Sequence, residues 1–159
     1  MISVADIPVE IWQLVRDEES KDVKDVVLLR DERGRFLPIV IGVCEAAAIW
    51  VRLAPDVAAP YLRRPWSHDL IQSLVERMGA RLLRVVIDNF MNDTFYATLH
   101  FEHRGNELVV DARPSDAIAL ALRLYAPILV NDEVMDEASI TPNGGSDDLG
   151  PDLGWEGHA

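Results

Sequence analysis

The chain has 159 residues, 49% of them apolar, and a formal net charge of −12. That length suits one domain around a single packed core. An acid excess of this size is a poor footprint for tight, non-specific duplex binding, which relies on neutralising phosphates. The lone cysteine, Cys44, rules out an intrachain disulfide and fits a reducing cytosol. Met1 is followed by no basic region and no apolar signal core, and the most apolar run, residues 37–51, contains Glu45 and is too short to span a bilayer. A cytoplasmic protein without a membrane segment is expected.

The charge is uneven. Residues 131–159 hold eight of the 27 acids and no Lys or Arg, which leaves 19 acids against 15 bases in the first 130 residues. Thirteen of the bases are Arg, and six of them (Arg52, Arg63, Arg64, Arg77, Arg81, Arg84) fall in the middle of the chain. A local basic surface is compatible with the acidic total.

Residues 3–14 alternate loosely through Val9, Ile11 and Leu14 and read as a first strand. Residues 23–30 read as a second and 36–41 as a third, joined by a hairpin in which Gly34 is free to take positive φ. Pro38 places the third strand at an edge or a bulge. Residues 44–53 read as a compact, Ala-rich helix with Glu45 in its first turn, and 54–66 as a loop. Ser67 is a candidate cap for a helix over 68–78, which carries the apolar stripe Leu70, Ile71, Leu74, Val75 and Met78 and stops at Gly79. Three strands follow, at 81–90, 94–103 and 107–112, with separators short enough for an antiparallel meander. A second Ala- and Leu-rich helix opens near Pro114 and runs to Tyr125, with Ser115 as its expected N-cap. A short strand over 127–130 and a short helix capped by Asn131 complete a domain over 1–138. Residues 139–159 read as an acidic, disordered tail. The order predicts an α+β domain: an antiparallel or mixed sheet of six to seven strands with three main helices.

No phosphate-binding Gly loop, zinc-type Cys pair or nucleophile elbow is present. Cys44 reads as a buried structural residue. Three helix starts carry acids: Glu45, then His68-Asp69, then Ser115-Asp116, with Asp111 and Arg113 just before the last. Two accounts fit. Acids at helix N-termini complement the dipole and need no other role. Alternatively the starts converge, and Glu45, Asp111 and Asp116 supply oxygen ligands for Mg²⁺ or Mn²⁺, His68 and Asp69 handle protons, and Arg64, Arg113 and Ser115 bind substrate.

Several stretches are also familiar. Leu37-Pro38-Ile39-Val40-Ile41-Gly42 followed by Glu45-Ala46-Ala47-Ala48-Ile49, then Arg64-Pro65-Trp66-Ser67-His68-Asp69-Leu70, then Thr94-Phe95-Tyr96-Ala97, then the block from Asp111 to Ala121 with Ala126-Pro127-Ile128, resemble in order the motifs of the bifunctional nuclease domain family. Thr commonly stands there at the Ser67 position, and residues 54–62 and Trp66 look like local departures. The resemblance spans about residues 3–137. It implies a compact α+β domain acting on DNA and RNA. It supplies no mechanism, so the residue roles above rest on chemistry alone. The expected function is phosphodiester hydrolysis with a divalent ion and no organic cofactor. The alternative is a non-catalytic oligomeric binding or regulatory module whose motif residues form an interface or an anion site. A homodimer or larger assembly is expected, with nucleic acid as the candidate partner.

Overall fold

The structure, a computed structural model, describes residues 6–18 and 21–142. Seven strands form one mixed sheet: β1 (Asp6–Asp17), β2 (Lys24–Asp31), β3 (Phe36–Ile41), β4 (Arg81–Met91), β5 (Thr94–His103), β6 (Asn106–Ala112) and β7 (Ile128–Asn131). The helices are α1 (Val43–Leu53), α2 (Pro55–Ala58), α3 (Ser67–Arg77), α4 (Pro114–Leu124) and α5 (Asp132–Ala138). This is the expected α+β architecture.

The strand order is β3-β2-β1-β7-β4-β5-β6. Two antiparallel meanders, β1–β3 and β4–β6, are each local in sequence. The four-residue β7 joins them, antiparallel to β1 and parallel to β4. Its Ile128, Leu129 and Val130 are all buried, as expected for a strand with neighbours on both sides. β3 is an edge strand, which accounts for Pro38. Gly34 has φ +76° and closes the β2–β3 turn by donating to the Asp31 carbonyl. Arg35 then ties that hairpin to α5 through Asp31, Asp132 and Asp136.

One apolar core lies between the sheet and the helices. Val27, Leu29, Ile39, Val85, Ile87, Ala97 and Leu99 face it from the strands, and Ile49, Ala117, Ile118 and Ala121 from α1 and α4. α4 is the most buried helix, because its Ala positions let it lie close to both β4 and α1.

Several local readings need correction. The expected loop over 54–66 contains α2 and a 3-10 turn over Ala59–Tyr61. Ser67 is the first helical residue of α3, and Trp66 occupies the cap position. Ser115 likewise lies inside α4, whose cap position is Arg113, because Pro114 takes the first helical place where its missing N–H costs nothing. Cys44 is exposed in the first turn of α1. Of the α3 stripe, Val75 packs against the core while Leu70, Ile71, Leu74 and Met78 are exposed. Ile140 exchanges two backbone hydrogen bonds with Phe36, so the chain is held to the sheet beyond α5; residues 143–159 of the expected tail lie outside the described residues. No described helix is long and apolar enough to cross a membrane.

Candidate functional site

α1, α3 and α4 each place a carboxylate at the third helical position: Glu45, Asp69 and Asp116. Local sequence dictates this much, because an acid there meets the unpaired first-turn amides. The packing then separates the three into two networks.

The first network joins all three helix starts. The Arg113 guanidinium donates from Nε to Asp116 Oδ2 at 2.8 Å, from Nη2 to Asp116 Oδ1 at 3.1 Å and from Nη1 to Glu45 Oε1 at 2.9 Å. His68 Nε2 lies 2.8 Å from Asp116 Oδ1. Assigning that bond as Nε2–H donating leaves Nδ1 with the lone pair in the neutral ring, and Nδ1 has no hydrogen-bond partner among the described residues. Arg113 remains 63% exposed. It uses three of its five N–H donors on the two carboxylates, so two stay available for a ligand.

Charge follows geometry. Burial disfavours ionised Asp116, but hydrogen bonds from Arg113 and His68 outweigh it and hold its pKa below the ordinary carboxylate value. Glu45 is lowered by a bond from its own backbone N–H and then by Arg113. Arg113 is raised in turn by Asp116 and Glu45. Gly42 makes room for this arrangement, since a Cβ there would overlap the Glu45 carboxylate.

The second network is built around Asp69. Its carboxylate accepts from the Trp66 backbone N–H at 2.8 Å, from Arg52 at 3.0 Å and from Arg123 Nε at 2.8 Å. The Arg123 side chain has 0% exposure and also donates to the Ala48 and Ala119 carbonyls. Asp69 therefore caps α3 and anchors α3 to α4 and α1. From sequence, Arg52 was visible as one of six mid-chain arginines, and Arg123 did not stand out. The only signal for Arg123 is a charge in the last turn of an apolar helix whose other charge, Asp116, lies in the first turn.

Asp111 joins neither network. It is exposed on the edge strand β6 in register with Thr98, whose neighbours Ala97 and Leu99 point to the core. By the pleat, Asp111 faces away from the helices. Arg64 is exposed in the bend before α3. The expected ligand set of Glu45, Asp111 and Asp116 is thus not assembled, and a guanidinium bridges the two members that do meet. Among the described residues no group of three His, Cys, Asp or Glu side chains is arranged to hold a metal ion. The residues present do not fit such a centre.

Beside the first network lies an open cleft of about 590 Å³, bordered by Glu45, Arg113 and Ser115 and walled by Ile39, Ile41, Phe90 and Phe95. Of these walls, Ile39, Ile41 and Phe95 lie in motif stretches, and Phe90 had no sequence signal.

The sequence profile of the bifunctional nuclease domain matches residues 26–143, about three quarters of the chain and every residue of both networks. The chain belongs to the bifunctional nuclease domain family. An uncharacterized Mycobacterium tuberculosis protein is 41% identical over 127 residues, covering 79% of this chain and 73% of that protein. Bifunctional nuclease 1 of Oryza sativa subsp. japonica is 33% identical over 109 residues, covering 66% of this chain and 32% of the rice protein. Bifunctional nuclease 1 of Arabidopsis thaliana is 29% identical over 109 residues, with 67% and 32% covered. This member of the family thus spans about a third of the length of its plant relatives.

Proposed function

We propose that this bifunctional nuclease domain hydrolyses phosphodiester bonds of nucleic acid at the Glu45–Arg113–Asp116–His68 network. The observation that supports the reading is the network itself, in which side chains from three helix starts meet, with Glu45 and Arg113 at the rim of a cleft. Arg113 offers two spare N–H donors to a phosphate oxygen, with the planar geometry that suits paired bonds. Glu45 and Asp116 fix its orientation. Asp116 also orients His68, so that Nδ1 faces the substrate and exchanges a proton with the attacking water or the leaving oxygen. With His68 neutral the four side chains carry one net negative charge, which opposes an anionic substrate. The two spare donors of Arg113 meet the phosphate against that charge, and His68 carries out the proton exchange. No step of this mechanism passes through a metal ion.

The test is hydrolysis of labelled single-stranded DNA and RNA by purified protein, measured with Mg²⁺, with Mn²⁺ and with a chelator. His68→Gln and Asp116→Asn should each lower the rate roughly a hundredfold or more, the scale of losing a positioned acid or its electrostatic partner, with circular dichroism unchanged. Activity lost only in the chelator would instead require a metal.

One observation favours a second reading. The exposed apolar stripe of α3 is typical of a surface that meets a partner. A non-catalytic module that self-associates through α3 would show no hydrolysis under any of these conditions and a mass by light scattering that is a multiple of 17.8 kDa.

A further inference from the structure

We infer that the cleft beside Arg113 is a subsite for one unpaired, amino-bearing nucleobase. The inference rests on the nuclease reading for its biological setting, but its argument is the chemistry of the cleft.

At about 590 Å³ the cleft falls within the range of small-molecule sites. Its walls are apolar and partly aromatic. Phe95 packs against Phe90 with ring centroids 4.4 Å apart, which fixes both rings at the cleft wall. Aromatic walls of this kind stack on bases, because every base has a π-face. The polar groups point the same way. Asp93, Glu137 and Glu45 border the cleft, against one guanidinium, Arg113. Ionised carboxylates only accept hydrogen bonds. They repel a phosphate and favour a neutral ligand that presents N–H groups. Guanine, adenine and cytosine carry an exocyclic amine. Uracil and thymine instead place two carbonyls beside their single N–H, against the acidic rim.

Ser115 supplies an independent observation. It is 6% exposed, borders the cleft, and its hydroxyl has no hydrogen-bond partner among the described residues. A nearly buried, unpartnered hydroxyl facing a cavity is what a ligand would satisfy. The phosphate then stays outside, at the spare donors of Arg113. A base inside a duplex has its amino edge paired and its faces stacked, so only an unpaired nucleotide can enter.

The test uses uncharged nucleosides, which contain no phosphodiester. Guanosine and uridine are titrated into the full chain and followed by NMR shifts of the Phe95 and Ser115 amides. The expected result is saturable binding of guanosine, at least about tenfold tighter than uridine and insensitive to salt. Phe95→Ala should weaken guanosine at least about tenfold, the scale of one lost stacking contact. Because Phe95 also touches the core, the exposed pair Asp93→Asn and Glu137→Gln provides a second variant that keeps the fold, and Asn tolerates the left-handed backbone at position 93. It should erase the preference for guanosine. Absence of saturation by guanosine at millimolar concentration, or equal affinity for uridine, overturns the subsite even if oligonucleotide hydrolysis depends on His68. Guanosine binding without any hydrolysis upholds the subsite and removes the nuclease reading. Guanosine and a single-stranded guanine oligonucleotide competing for the same amides would show that the base is taken from a strand as well as from the free nucleoside.

Discussion

The networks around Asp116 and Asp69 are made from the same parts: an acid at the third position of a helix and two basic partners. They differ in where the arginine sits. Arg123 is fully buried: its Nε meets a carboxylate and its Nη1 two carbonyls, while its Nη2 is sealed in the core with no partner among the described residues, so it locks α3, α4 and α1 together and offers nothing to a ligand. Arg113 is largely exposed, retains two donors and borders a cleft. Identical chemistry is therefore structural in one place and available to a ligand in the other. The difference is desolvation, which makes an interior ion pair indispensable once formed and leaves a surface pair worth little.

The largest expected effect breaks the buried member. Arg123→Met leaves Asp69 with part of its charge uncompensated against the core. It should cost roughly 3 kcal/mol or more, the scale for removing one partner of a buried pair. Arg113→Met should cost about 1 kcal/mol or less, since its pairs are exposed. Urea denaturation of the two variants side by side measures both. Equal losses would sink the distinction between the networks.

A smaller effect comes from Gly42→Ala. Its φ of −75° is open to alanine, so the backbone is not strained, but the new methyl displaces the Glu45 carboxylate. Stability should change by about 1 kcal/mol or less. Hydrolysis should fall by roughly tenfold as Arg113 loses one of its two supports, an effect of a misplaced binding group. An unchanged rate would mean that Glu45 does not position Arg113.

The smallest effect is on the acid limb of stability. Asp116, Glu45 and Asp69 all have folded-state pKa values below their ordinary ones. The stability they contribute is complete above the unfolded carboxylate values, about 3.9 to 4.3. It is lost as pH falls through the folded values. Melting temperature should hold from neutrality to about pH 5 and drop steeply below about pH 4. Asp69→Asn should flatten that limb more than Glu45→Gln, because Asp69 is paired with the buried Arg123. The reverse ranking would place the structural network at Glu45.

Much of the fold was determined by the sequence alone. Period-two and helical patterns, Gly34 and Gly79 as stops, and Pro38 as an edge signal located nearly every element, because these signals act within about ten residues. The motif blocks also sufficed for the family, and the acids at helix starts were visible as such. Tertiary structure decided which of those starts meet. Glu45 reaches Arg113 across 68 positions and His68 reaches Asp116 across 48, and the first of these joins the two halves of the sheet that meet where β7 enters between β1 and β4. Nothing local in Ile128-Leu129-Val130 specifies that insertion. The same packing sent Asp69 to a buried arginine, turned Asp111 to the far side of the sheet and left Cys44 and most of the α3 stripe exposed. A residue's type and its place in a helix are short-range properties of the chain. Its desolvation and its partners are set only when distant segments close on one another, and these separate a cap from a site.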